Sequence, residues 1–313
     1  MSWTGRFTVH KLFYDVLEGE GILPFHHLRE YCCTSWINYS TVLPLIRGPS
    51  EITTLGFIPR HPLSTTLVKQ DLKAFRDLAG PLPASVRVLK VAGYGFHPDS
   101  AYHDFFFPSL LALPRIEVLH MGLTGIEAVL PDNVLQHVLS LDTLEDIRTS
   151  NPSDDLLRCL KRMRGTGPTF RLRRYVTLAS NLDVCLEILR RIAVSCLQSI
   201  DIQSISPLSA SDVENFFRTV ESRCSPSVLR EITLDEDCDS LTDPVTATPG
   251  TSMATMNTLR PLFPFSHLEQ LHVDNTALVF PFVSDDVEIF RESWPKMRSM
   301  KLVGRQLEIH GTG

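Results

Sequence analysis

The amino-acid sequence predicts an α/β fold, a solenoid with parallel strands on its concave face and helices on the outside. Three observations support this prediction. A short apolar pattern recurs along the chain, segments with helical periodicity separate its copies, and prolines precede the copies. The length of 313 residues would accommodate about two globular domains or one long repeat array.

The recurring pattern is apolar-x-x-apolar-x-apolar. Its copies are unequally spaced and begin at Ile52, Val86, Ile116, Leu144, Leu172, Leu197, Leu229, Leu268 and Met297. Leu28 begins a candidate tenth copy. The last two apolar positions share one face of a strand. Because so short a strand cannot bury that face alone, we expect the copies to stack in parallel. Their unequal spacing makes the predicted solenoid irregular and leucine-rich-repeat-like.

The segments between the copies predict the crossover helices that parallel strands require. Apolar residues at helical spacing occur in residues 72–78, 134–138, 156–163, 182–192, 213–220 and 287–294. Ser211 with Glu214, and Asp285 with Glu288, have the spacing of a capping box. Prolines such as Pro264 lie shortly before a copy, where they would end the preceding crossover.

These elements predict three regions. Residues 1–24 would form an N-terminal cap with a remnant helix, residues 25–305 a solenoid of nine to ten repeats, and residues 306–313 a C-terminal tail. Residues 236–258 are rich in Ser, Thr, Pro and Asp and predict a flexible insertion loop. This insertion explains the longest interval between copies, which runs from Leu229 to Leu268.

Composition narrows the classes of function and location. The formal net charge of −6 argues against a general nucleic-acid binder. No apolar run approaches the ~18 residues that cross a bilayer, and the N-terminus does not resemble a signal peptide, so we expect a cytoplasmic or nuclear protein without membrane contact. The seven cysteines are irregularly spaced and form no CxxC pair, which favours reduced thiols over disulfides or zinc sites.

Motifs for catalysis, cofactors and metals are incomplete. The stretch from Gly93 begins like a dinucleotide loop, but Pro98 stands where the third glycine should be. Asp235-x-Asp237-x-Asp239 begins like a calcium loop, but Ser240 replaces its glycine. We therefore expect no enzyme activity and no catalytic, cofactor or metal site.

A protein-binding surface is expected on the outward side of the strands. Residues two or four positions after the start of each copy would point away from the core. The candidates are Lys90, His120, Arg148, Arg174, Asp201, Glu231, His272 and Lys301. Arg148 and Arg174 would lie beside Asp201 and Glu231, so the surface is mixed in sign. Such a surface suits a protein of complementary charge better than a polyanion.

The residue patterns of two segments, 259–273 and 294–302, resemble those of the large fungal family of F-box/leucine-rich-repeat-like proteins. The resemblance covers residues 25–305. It implies a repeat module that recognises substrates for a cullin-type ubiquitin ligase. The alternative is a stand-alone leucine-rich-repeat scaffold with no ubiquitin role. The F-box motif is not found in residues 1–24, so binding to the Skp adaptor is expected only if an F-box is missing from this chain.

Overall fold

The chain divides into two compact units, residues 1–144 and 145–313. The computed structural model describes residues 29–33, 52–57, 84–91, 110–121, 132–150, 154–162, 171–179, 182–192, 194–204, 206–236, 252–275, 278–281, 284–302 and 305–307. Every structural statement below refers to these residues. Predictions for residues 1–24, 72–78 and 308–313 lie outside them.

The first unit contains four strands that pair in parallel in chain order: β1 (Glu30–Cys33), β2 (Thr54–Phe57), β3 (Val88–Val91) and β4 (Val118–Met121). Helix α1 (Asp132–Ser140) follows β4. Its apolar residues Val134, Leu135 and Val138 are buried, as their spacing predicts.

In the second unit, strands alternate with helices. Strands β5 (Asp146–Ser150), β6 (Arg174–Ala179), β7 (Ser199–Ser204) and β8 (Glu231–Glu236) pair in parallel, and β10 (Gln270–Asp274) and β12 (Ser299–Leu302) continue the sheet. A short β13 (Arg305–Leu307) pairs antiparallel with β12. The crossovers contain α2 (Asp154–Arg162), α3 (Leu182–Arg191), α4 (Ala210–Arg223), α5 (Met256–Leu259) and α6 (Ser284–Ser293).

The inward positions of the repeat form the core. Leu89, Leu119, Leu271 and Met300 are each at most 1% exposed. The first apolar residue of every copy from Ile52 to Met297 is also buried. The prediction that the recurring pattern marks buried apolar positions of parallel strands is therefore confirmed. As this pattern predicts, the strands of each unit form a mainly parallel sheet in an α/β structure.

Within each unit, a backbone ladder aligns each copy with the next. The residue after the first apolar position donates its N–H to the carbonyl of the equivalent residue one copy earlier, at 2.7–2.8 Å in the second unit. The residues of this ladder in the second unit, which we call the leading residues, are Glu145, Arg173, Gln198, Arg230, Glu269 and Arg298. The ladder fixes the register before each strand begins.

The start of helix α4 differs from the prediction. Its N-cap is Ser209, whose hydroxyl accepts from the Asp212 N–H, while the Ser209 N–H donates to Asp212 Oδ2 at 2.9 Å. Ser211 therefore lies inside the helix. Both serines have an acid three residues later, so spacing alone did not separate them. Leu208 and Val213 are both buried and occupy the positions of a hydrophobic staple around Ser209, a signal that favours this cap.

Helix α6 also begins earlier than predicted. Its first residue is Ser284, so Asp285 is helical rather than a cap. At its other end the indole of Trp294 donates to the Leu262 carbonyl at 2.9 Å and stacks on Phe290 at a centroid distance of 5.4 Å. Leu262 belongs to a short 3-10 helix, Arg260–Leu262, so this bond ties the last crossover to the preceding one.

The C-terminal part of the segment predicted as an insertion loop has regular structure. Strand β9 (Ser252–Met253) pairs in parallel with β11 (Leu278–Val279), and helix α5 begins at Met256. The prediction of a loop over residues 236–258 therefore differs from the structure at residues 252–258 and at Glu236, which ends β8. Residues 237–251 lie outside the described part of the chain.

The described residues contain no helix that could cross a membrane, and four of their cysteines are free thiols. The helices there are all too short or too polar to cross a bilayer. Cys159, Cys185, Cys196 and Cys224 are free thiols. Burial raises the pKa of Cys159 to about 11 and that of Cys185 to about 12, so both stay protonated near neutral pH. A protonated thiol is a poor nucleophile and a poor metal ligand.

Candidate functional site

The polar side of the sheet in the second unit carries most of the predicted site residues, and we call it the outward face. Strand register arranges it in rows. The first row is Asp146, Arg174, Ser199, Glu231, Gln270 and Ser299; the second is Arg148, Val176, Asp201, Thr233, His272 and Lys301; the third is Ser150, Leu178, Gln203, Asp235 and Asp274. Six of the eight predicted residues thus share one face.

The basic end of the outward face lies on β5 and β6. Arg148 donates to both oxygens of Asp146, two residues earlier on the same strand, with a shortest distance of 2.8 Å. This hydrogen bonding raises the pKa of Arg148, and burial opposes the shift. Arg174 is exposed on the neighbouring strand, directly in register with Asp146. The guanidinium of Arg174 is therefore accessible to a partner, whereas that of Arg148 is held by Asp146.

Asp201 lies near the centre of the outward face and is stabilised poorly in its charged form. Burial raises its pKa above the ordinary value of 3.8; the charge of Arg174 opposes this shift, and that of Asp235 adds to it. Its Oδ1 is inaccessible to solvent and has no hydrogen-bond partner within the described residues. The side chain as a whole is half-buried. The free protein thus carries an acid whose ionisation its surroundings disfavour.

The other end of the outward face, on β8, β10 and β12, brings together residues of both signs. Asp235 and Asp274 are register partners on β8 and β10. His272 lies two residues before Asp274 on the same face, with its Nε2 3.7 Å from Asp235 Oδ1. Lys301 donates a hydrogen bond to Asp274 Oδ2, and this bond raises the pKa of the lysine.

Sequence reasoning placed His272 and Lys301 on this face but not the two carboxylates; it considered Asp235 only as the start of an incomplete calcium loop. Asp235 is six residues after Leu229, and Asp274 is six residues after Leu268. Aligning the copies therefore places both acids at the same position of neighbouring strands. The candidates were confined to the second and fourth positions after each start, although the sixth position lies on the same face.

The remaining two candidates belong to the first unit. Lys90 and His120 are register partners on β3 and β4. Lys90 donates to Glu30 Oε1 at 2.8 Å. His120 is only 8% exposed, so it offers little surface to a partner and differs in this from the prediction of an outward binding residue.

The leading residues form ion pairs along one edge of the outward face. The sequence reasoning did not identify these pairs. Glu145 pairs with Arg173 at 3.4 Å. Glu269 pairs with both Arg230 and Arg298, and its side chain is only 16% exposed. Because each pair joins equivalent positions of adjacent strands, these side chains support the register set by the backbone ladder.

No protein-family model matches the chain, and no curated protein matches it.

Proposed function

We propose that the chain is a protein-interaction module and that the outward face of residues 145–313 binds its partner. We further propose that its parallel α/β repeats form a leucine-rich-repeat-like solenoid, with the outward face on the concave side. In such repeat arrays the strand side is an extended surface available for binding. The proposal fits the regular rows of polar side chains across β5, β6, β7, β8, β10 and β12.

The observation that carries the proposal is the state of Asp201 beside an exposed Arg174. Burial that raises the pKa of a carboxyl costs folding free energy above the pH at which the unfolded group ionises. A partner that presents a cationic or hydrogen-bond-donating group to Asp201 would offset that cost. A partner acid could pair with Arg174 at the same time. The face therefore suits a protein segment of alternating charge better than a nucleic acid, whose phosphates would meet Asp201 and Glu231.

The resemblance to F-box/leucine-rich-repeat-like proteins gives this proposal a specific form. The bound protein would be a substrate that the chain presents to a cullin-type ubiquitin ligase. A stand-alone scaffold would bind its partner through the same face without ligase components. Affinity capture from the native host distinguishes the two, because recovery of the Skp adaptor and a cullin supports only the first.

Charge reversal on the outward face tests the proposal. The double variant Arg148→Glu and Arg174→Glu should lose the captured partner, since the accessible guanidinium of Arg174 is replaced by an acid and Arg148→Glu adds a second acid to the same face. The matched control reverses Lys161 and Arg162, two exposed basic residues at the end of α2. Both variants change the net charge equally, so a loss confined to the first assigns binding to the outward face.

Folding must be separated from binding in this test. Arg148→Glu places a second acid beside Asp146, so the melting temperature of each variant is measured first. The single variant Arg174→Glu, at an exposed position, provides a second measurement. Loss of the partner from the Lys161 and Arg162 variant alone would place the interface on the helical side and contradict the proposal.

A further inference from the structure

We propose that Asp235, His272 and Asp274 bind a divalent transition-metal ion of the zinc type. The proposal is independent of partner binding, because ion binding is measured on the chain alone. One nitrogen of His272 and one oxygen from each aspartate lie within 4.8 Å of one another. Ligands about 2.1 Å from a tetrahedral ion are roughly 3.4 Å apart, so small side-chain rotations would close this site around an ion.

The imidazole of His272, one of the three donors, adds a further indication. Its Nε2 is inaccessible to solvent and has no hydrogen-bond partner within the described part of the chain. The nearest carboxylate oxygen, Asp235 Oδ1, is 3.7 Å away, which is too far for a hydrogen bond. Buried ring nitrogens are ordinarily paired. A metal ion between Nε2 and Oδ1 would satisfy both atoms at once.

The backbone holds the three residues in place. Asp235 and Asp274 are register partners, and His272 precedes Asp274 by two residues on the same face of β10. Sites on paired strands keep their geometry better than sites on loops. The three donors therefore need only side-chain adjustments to meet one ion.

The donor set selects the class of ion. One imidazole nitrogen with two carboxylate oxygens suits zinc and neighbouring first-row metals. Calcium prefers six to eight oxygen ligands, so a histidine among three protein ligands disfavours it.

Substitution of Lys301 should strengthen metal binding, whereas substitution of a ligand should weaken it. The ammonium of Lys301 donates to Asp274 Oδ2 and therefore competes with any ion for that carboxylate. Lys301→Met removes this competing cation while keeping a chain of similar length. If Asp274 is a ligand, this variant should bind metal several-fold more tightly than the parent protein.

The experiment titrates the purified full chain with cobalt(II) and follows its visible absorption, then displaces the cobalt with zinc. Nitrogen and oxygen ligands give ligand-field bands without the sulfur-to-metal charge-transfer bands that cysteine ligands produce. We expect binding at one site without charge-transfer bands. Charge-transfer bands would place the ion on cysteines and overturn the proposal, as would preferential binding of calcium.

Variants assign the ligands. His272→Gln or Asp235→Asn should weaken cobalt binding at least about tenfold, since even residues that support metal ligands contribute that much. The matched controls are His267→Gln, a histidine in the turn before β10, and Asp146→Asn, a carboxylate already bonded to Arg148; both should bind as the parent does. Unchanged binding in His272→Gln or in Lys301→Met would overturn the three-residue site. The expected result for Lys301→Met is tighter metal binding. A misfolded variant would bind metal more weakly, so misfolding cannot produce this result.

Discussion

The two sides of the same strands in residues 145–313 are organised by different forces. On the inward side Ile200, Ile232, Leu271 and Met300 are buried in apolar contact, and any residue of suitable size and hydrophobicity serves there. On the outward side acids and bases of neighbouring strands act on one another, and the identity of each residue matters. The inward side therefore determines most of the free energy of unfolding. The charged groups of the outward side raise or lower this free energy only slightly.

The largest effect should come from the inward side. Leu271→Ala should lower the free energy of unfolding by about 2–5 kcal/mol, because the apolar contacts are lost and a cavity remains. The control is Gln270→Ala, one residue earlier on the same strand and exposed on the other side, which should change stability by less than about 0.5 kcal/mol. Urea denaturation measures both. Equal effects of the two substitutions would contradict the assignment of inward and outward sides.

An intermediate effect is expected from the ion pairs of the leading residues. Glu269→Gln should cost about 1 kcal/mol, because a largely covered carboxylate loses its pairs with Arg230 and Arg298. The control is Glu288→Gln, which removes one exposed pair with Arg291 in α6 and should cost less than about 0.5 kcal/mol. Denaturation at low and high salt distinguishes them. A cost at Glu269 that salt does not reduce would argue against an electrostatic origin.

The smallest effect on stability should be an increase, whereas the two substitutions above should decrease it. As pH rises from 3.8, the ordinary pKa of Asp201, the unfolded state ionises first, so the raised pKa in the folded state costs stability. Asp201→Asn removes this cost and should raise the melting temperature by a few degrees at most near neutral pH. The gain should vanish in acid, where the aspartate is protonated in both states. Melting curves across this range test the sign, and a variant that melts lower at neutral pH would contradict it.

The inward side could be predicted from the sequence because its signal is periodic and local. The first two apolar positions of every copy from Ile52 to Met297 are three residues apart, and both are buried. The third position, two residues later, is also apolar except at Thr149 and Thr177. The helices at 134–138, 182–192 and 213–220 were predicted for the same reason. The caps were less certain: Ser209 and Ser211 both have an acid at the required spacing, and only packing of Leu208 and Val213 separates them.

The outward side could be predicted only in part, because its chemistry depends on which residues meet across strands. The alternation of Arg174 and Asp201 follows from aligning the copies. The burial of Asp201 and the close approach of His272 to Asp235 depend on side-chain conformation, which no spacing rule contains. Asp235 and Asp274 are far apart in sequence, and only strand register makes them neighbours.

The pairing of β8 with β10 has a consequence for protein engineering. These strands keep the register of their neighbours although the interval between their copies, from Leu229 to Leu268, is the longest in the repeat region. Connection length and strand register are thus uncoupled here, as expected when loop closure costs grow slowly with length. A crossover can therefore gain residues without shifting a single row of the sheet, so crossover length need not be preserved when repeats of this kind are engineered.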